Sequence, residues 1–189
     1  MAALTIRVEG DPVLRQVARP VRKVTRRLQR LIRDMRETMY AHDGVGLAAP
    51  QVGISERVIV VDAGSGFIAL VNPKIVHQEG VSVDVEGCLS IPGVLGYVER
   101  AARVEVTGWD ENGQDRRVEA TGLLARALQH EIDHLDGVLF IDKATAVFKE
   151  EAVRTRQVAA PRGGDAAGEP EVFSSVAAAR SDLHSTEGA

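Results

Sequence analysis

Apolar positions recur along this chain with two different periods, and the change of period divides it into elements. Between about Thr25 and Ala41, Leu28, Leu31, Ile32, Met35 and Met39 return every three to four residues, which gathers one stripe of an amphipathic α-helix. Arg57 to Asp62, Phe67 to Asn72, Val81 to Val85 and Arg103 to Trp109 are β-branched runs bounded by Gly, Pro or Asn, and they read as strands. Asp110-Glu111-Asn112-Gly113 reads as a hairpin turn into a further strand, Gln114 to Ala120. A second helix is expected from Gly122 to Leu135, with Thr121 capping its start and Asp136-Gly137 supplying a left-handed stop. Strands followed by a helix predict an α+β domain with antiparallel sheets packed around that second helix.

The second helix carries two arcs. Leu124, Leu128, Ile132 and Leu135 form one and belong to a core; Leu123, Ala127, His130 and His134 form the other and face a cleft. At 100° per residue, His130 and His134 point within about 40° of each other one turn apart, so both can ligate one ion. Glu131 is rotated about 100° from His130, which suits a general base acting on water at the metal better than a third ligand. Small Ala127 leaves room beside the ion, and Arg126, Gln129 and Asp133 are expected to point toward solvent or toward partners behind the ligands.

A hydrolytic metal site needs three protein ligands and one open position. Cys88, between the alternating run Val81, Val83, Val85 and an expected turn at Pro92-Gly93, is the only cysteine, so it has no internal disulfide partner. In isolation it reads as a small buried apolar residue; beside two helical histidines it becomes a soft donor completing a His₂Cys set. A third segment, Gly44 to Gly53, has little side-chain bulk, which suits backbone lying close to a ligand or another element. It is no phosphate loop, since neither G-x-x-x-x-G-K-[ST] nor G-x-G-x-x-G is present.

Together GVGLAAPQ at 44 to 51, EGCLS at 86 to 90 and QHEIDHLDG at 129 to 137 resemble, in order and spacing, the three signature motifs of peptide deformylases. The likeness extends across roughly residues 4 to 149. It implies a peptide-deformylase-like fold and removal of the formyl group from the N-terminal formylmethionine of nascent polypeptides, releasing formate. It further implies Cys88, His130 and His134 as metal ligands and Glu131 as general base and acid. Gln51, through its side-chain amide, and Leu89, through its backbone N–H, would stabilise the oxyanion. Val45, Gly46 and Leu47 would offer a backbone edge to the substrate peptide, with Val45, Leu124 or Leu123, and Ala127 lining a methionine pocket floored by His130. Leu95 stands where many relatives carry a longer or charged side chain. The resemblance implies Fe²⁺ in cells, with Zn²⁺, Ni²⁺ or Co²⁺ able to substitute.

Composition fits one soluble domain. The 189 residues are 44% hydrophobic and 26% charged with a net charge of −4, enough for one core. No apolar run nears the roughly 20 residues that span a bilayer, and the N-terminus lacks a secretory pattern, so a cytoplasmic protein without membrane or DNA partners is expected. The catalytic domain is expected over residues 1–150. Residues 151–189, rich in Gly, Ala, Pro and Ser, read as a flexible C-terminal tail in which Val172, Phe173 and Val176 are the only candidates for a docking helix. The first helix is strongly basic, through Arg26, Arg27, Arg30, Arg33 and Arg36, which raises ribosome association as a partner, against the plainer reading of a solvated face. Two rival functions remain at this point: a zinc endopeptidase with Glu150 or Glu151 as third ligand, and a non-catalytic metal-stabilised module.

Overall fold

A computed structural model describes residues 3–150. The tail expected at residues 151–189 lies outside the described residues. The described residues form two α-helices, α1 (Arg26–Ala41) and α2 (Gly122–Leu135), and eight strands: β1 (Gly46–Ala48), β2 (Val58–Val61), β3 (Ile68–Glu79), β4 (Ser82–Cys88), β5 (Ile91–Arg100), β6 (Arg103–Trp109), β7 (Asp115–Thr121) and β8 (Ala144–Lys149). These make two antiparallel sheets, a five-stranded one in the order β1-β2-β3-β6-β7 and a three-stranded one in the order β4-β5-β8. The α+β architecture read from the sequence is the one observed.

The large sheet is covered on both faces. Val58 and Val60 of β2 join Leu28, Ile32, Met35 and Met39 of α1, whereas Ile59 and Val61 join Ala125, Leu128, Ile132 and Leu135 of α2. Alternate residues of one strand thus serve two cores, which is why β2 is an unbroken apolar run. The small sheet packs through a separate cluster, Leu14, Ile91, Val98, Leu139 and Phe140.

Where strands differ from expectation, proline and glycine are the cause. β3 does not stop at Asn72 but runs on through Pro73, because the ladder with β6 shifts register between Val71 and Lys74 and a bulge has no use for the missing N–H. Likewise Pro92-Gly93 is not a turn. The turn is the two-residue Leu89-Ser90, β5 starts at Ile91, and Pro92 to Val94 bulge out before pairing resumes at Gly87 and Leu95. β5 and β8 have no counterpart in the strand pattern read from the sequence. Thr25 caps α1, its Oγ accepting from Leu28 N at 3.3 Å. Thr121 makes no such bond: it ends β7, paired with Arg103, and the chain enters α2 through Gly122 at φ +56°. Gly137, at φ +74°, turns the chain immediately after α2, and a side chain there would meet Arg15 O at 2.7 Å.

Candidate metal centre

The three motifs converge where the small sheet approaches α2. Cys88 ends β4, while His130 and His134 lie one turn apart on α2, and one donor atom from each lies within 4.8 Å of the other two. His134 Nε2 is 3.2 Å from Cys88 Sγ. His130 Nδ1 meets Glu86 Oε2 at 2.9 Å, which leaves Nε2 to face the sulfur side. This donor set suits a divalent ion: two imidazoles and one sulfur leave a tetrahedral position open. Among the described residues Glu150 joins no such group, and Glu151 lies outside them.

Electrostatics agree with a cation site. Burial disfavours charge on His130, yet the Cys88 sulfur and the Glu86 carboxylate outweigh it and hold the ring's pKa well above the ordinary value. The groups that favour a proton there would equally favour a metal. His134, buried beside His130, is pushed well below the ordinary histidine value, first by burial and then by its neighbour's charge. Burial also works against Glu86, but hydrogen bonds from Arg100 and His130 dominate and keep it a carboxylate.

Glu131 is the contrasting acid. It is 4% exposed, its Oε2 has no hydrogen-bond partner, and burial pushes its pKa up to about 7. Its side chain lies against the Cα of Gly46, where an added Cβ would meet Cγ and Cδ at 2.8 Å. A side chain at position 46 would push the carboxylate aside. Gln51 is held by a short turn after β1: Oε1 accepts from Ala48 N at 2.7 Å, and Nε2 donates to Ser90 Oγ at 3.2 Å and faces Cys88 Sγ at 3.5 Å. Leu89 sits in the β4–β5 turn and packs, partly buried, against the α1 cluster.

The remaining expected residues divide. Gly46 and Leu47 lie on β1, the edge strand of the large sheet, whose other neighbour is β2 alone. Val45 and Leu124 pack against the α2 core and Ala127 is part of it. Leu123, on the same helical face as Ala127 and His130, is 38% exposed. Arg126 and Gln129 do not reach solvent: they are 7% and 6% exposed. Arg126 bonds Glu86, and Gln129 clasps Ala101 by accepting from its N and donating to its O, both at 3.0 Å. Glu86 and Arg100 carry much of the site's charge without having been singled out. The one available signal was the position of Glu86 two residues before the sulfur.

A partly buried sulfur and two buried imidazoles beside an unpaired carboxylate, set between two antiparallel sheets, define the class: a mononuclear metallohydrolase. Comparison with known proteins narrows it. Residues 3–150 match the family model described as polypeptide deformylase. The peptide deformylase of Halothermothrix orenii is 54% identical over 152 residues, 79% of this chain and 99% of the relative, and that of Carboxydothermus hydrogenoformans 49% identical over 150 residues, with the same two shares. Among solved structures, the Thermotoga maritima peptide deformylase superposes with a TM-score of 0.75 at 47% identity, covering 77% of this chain and 100% of that one. The Synechococcus elongatus enzyme, solved in complex with actinonin, gives 0.74 at 50% identity, covering 76% and 79%. The chain belongs to the polypeptide deformylase family.

Proposed function

We propose that this protein removes the N-terminal formyl group from formylmethionyl nascent peptides, releasing formate and a free amine. The observation that carries this reading is the convergence of Cys88, His130 and His134 beside the unpaired Glu131 carboxylate. A divalent cation held by that set supplies Lewis-acid chemistry, making water acidic and polarising a carbonyl. The cation is Fe²⁺ in cells, a choice that follows from family resemblance, and Zn²⁺, Ni²⁺ or Co²⁺ fit the same donors.

The protein's own groups do the rest. Glu131 takes a proton from the attacking water as it adds to the formyl carbon, then returns that proton to the departing nitrogen, since an amine leaves poorly unless protonated. Its raised pKa suits both halves of that task. Charge gathers on the formyl oxygen, where the Gln51 amide and the Leu89 N–H donate. The free side of β1, at Val45 to Leu47, accepts the peptide as an added strand, and Ala127, Leu124 and exposed Leu123 border the methionine side chain. The protein acts in the cytoplasm, and among the described residues no helix is long and apolar enough to cross a membrane. Arg26, Arg30 and Arg33, exposed on α1, are the residues through which ribosomal RNA would be met.

The test pairs two measurements on one anaerobic preparation: formate release from formyl-Met-Ala-Ser, and metal content of the Cys88→Ala variant. Formate release with loss of the ion in Cys88→Ala supports the reading. Absence of formate from metal-loaded protein, or full metal retention without the sulfur, overturns it.

A further inference from the structure

The metal donors come from two bodies whose buried apolar residues form separate clusters. The core cluster that includes α2 contains residues of β2, β3, β6 and β7 and none of β4, β5 or β8. The cluster under the small sheet contains no residue of α2. Among the described residues no buried apolar side chain belongs to both clusters, and the His130 ring stacks on Phe140 of the small-sheet cluster at 6.2 Å between centroids. Yet a tetrahedral site tolerates errors of only a few tenths of an ångström.

Charged groups span the gap. Arg126 reaches from α2 to both strands of the hairpin: Nη1 donates to Glu86 Oε1 at 2.7 Å and to Val98 O at 2.9 Å, and Nη2 donates to Ser82 O at 2.9 Å and Ser82 Oγ at 3.4 Å. Arg100 makes the return connection, binding Glu86 through two nitrogens at 2.8 and 2.9 Å and Asp133 of α2 at 2.5 Å. Glu86, between the two guanidinium groups, holds His130. Among the described residues Arg126 alone bonds the carboxylate behind a ligand, the central strand β5 and the start of β4.

We infer that Arg126 is a positioning residue for the metal centre, its buried guanidinium setting the distance between the Cys88 sulfur and the two imidazoles. A planar five-donor group suits this because its bonds are directional, whereas apolar packing lets a sheet slide. This rests on the metal site proposed above and deepens it.

The test uses full-length protein loaded with Co²⁺, read by its sulfur-to-cobalt absorption band and by the rate at which a chelator removes the ion. Leu128→Ala, a core substitution on the large-sheet side of the same helix and outside the hydrogen-bond network, serves as a control for general loosening. Arg126→Met is expected to displace the band and to accelerate release about tenfold or more, the usual scale for groups that orient metal ligands. Leu128→Ala should keep the parental band, and Arg126→Lys, holding one partner at a time, should fall between Arg126→Met and parent. If Arg126→Met does not fold, the lysine variant decides by the same two readings. A parental band with release no faster than in Leu128→Ala overturns the inference. A parent protein with no sulfur-to-cobalt band would instead overturn the metal site itself.

Discussion

On one side α2 lies against the five-stranded sheet through Ala125, Leu128, Ile132 and Leu135; on the other it reaches the three-stranded sheet through Arg126, His130 and Asp133. The first contact is apolar and non-directional, and its strength grows with area removed from water. The second is a set of charge-assisted hydrogen bonds, each with its own angle. The candidate metal ligands and Glu131 lie along the boundary between these contacts. Apolar packing supplies stability and a dry floor, and polar bonding supplies register between bodies whose buried apolar clusters are separate. Glu131 belongs to neither. It shares the burial of the first contact and the charge of the second, with one oxygen left over for chemistry.

The largest effect expected from breaking this arrangement is on rate. Glu131→Gln keeps the shape against Gly46 but removes the proton acceptor, and formate release should fall by roughly 10³- to 10⁴-fold, the upper range for a general acid–base residue. Metal content should stay at the parental level, since the carboxylate is not among the donors. A variant within tenfold of the parent, measured with its metal present, would leave Glu131 without the role assigned to it.

Next comes stability on the apolar side. Leu128 is fully buried between α2 and the large sheet, and Leu128→Ala should reduce unfolding free energy by about 3 to 4 kcal/mol in urea titrations, mostly through the cavity left behind. A loss below about 1 kcal/mol would mean that the large sheet does not anchor the helix.

How much of this was open to reading in advance follows the same division. The positions of His130, Glu131 and His134 obey helix periodicity, a local property, and the limits of α2 were read from Thr121 before it and the Asp136-Gly137 stop after it. The apolar faces of α1 and α2 could be read for the same reason. The charged side could not. The sequence leaves Arg126 open between solvent and a partner behind the ligands and does not mark Glu86 as that partner, since only the three-dimensional approach of β4 to α2 buries them together. Pro73 and Pro92 misled in another way: each lies in a strand, at a bulge whose existence depends on pairing with a distant partner. Thr121 has a capping residue's identity but is already engaged in β7.

The carboxylate between the two contacts can be tested through pH, without metal. The Glu131 carboxyl titrates near 4.5 ordinarily and near 7 when buried here. Below about pH 4.5 it is protonated in folded and unfolded chains alike and contributes no difference. Between those values the unfolded chain loses the proton while the folded one keeps it, so rising pH weakens the fold, by roughly 3 kcal/mol over the interval. Metal-free Glu131→Gln lacks this loss. Its advantage over metal-free parent in urea titrations should therefore grow from pH 4.5 to 7 and level off above; a difference independent of pH would show that the acid is not held neutral.

The smallest of these effects concerns Gln51, which joins the two sides from the β1 turn. Its oxygen is held by the Ala48 N–H, and its nitrogen reaches Ser90 and the sulfur, so the amide plane is fixed before any substrate arrives. A donor that needs no reorganisation is worth most when charge develops in a dry site, and Gln51→Ala should lower kcat by about 10²-fold while changing KM little. Gln51→Glu separates positioning from donation. It retains the contact with Ala48 N but places an anion where the donor stood, so its kcat should fall below that of the alanine variant. Equal rates for the two would mean that the amide only organises the turn, and that the formyl oxygen takes its stabilisation from other groups.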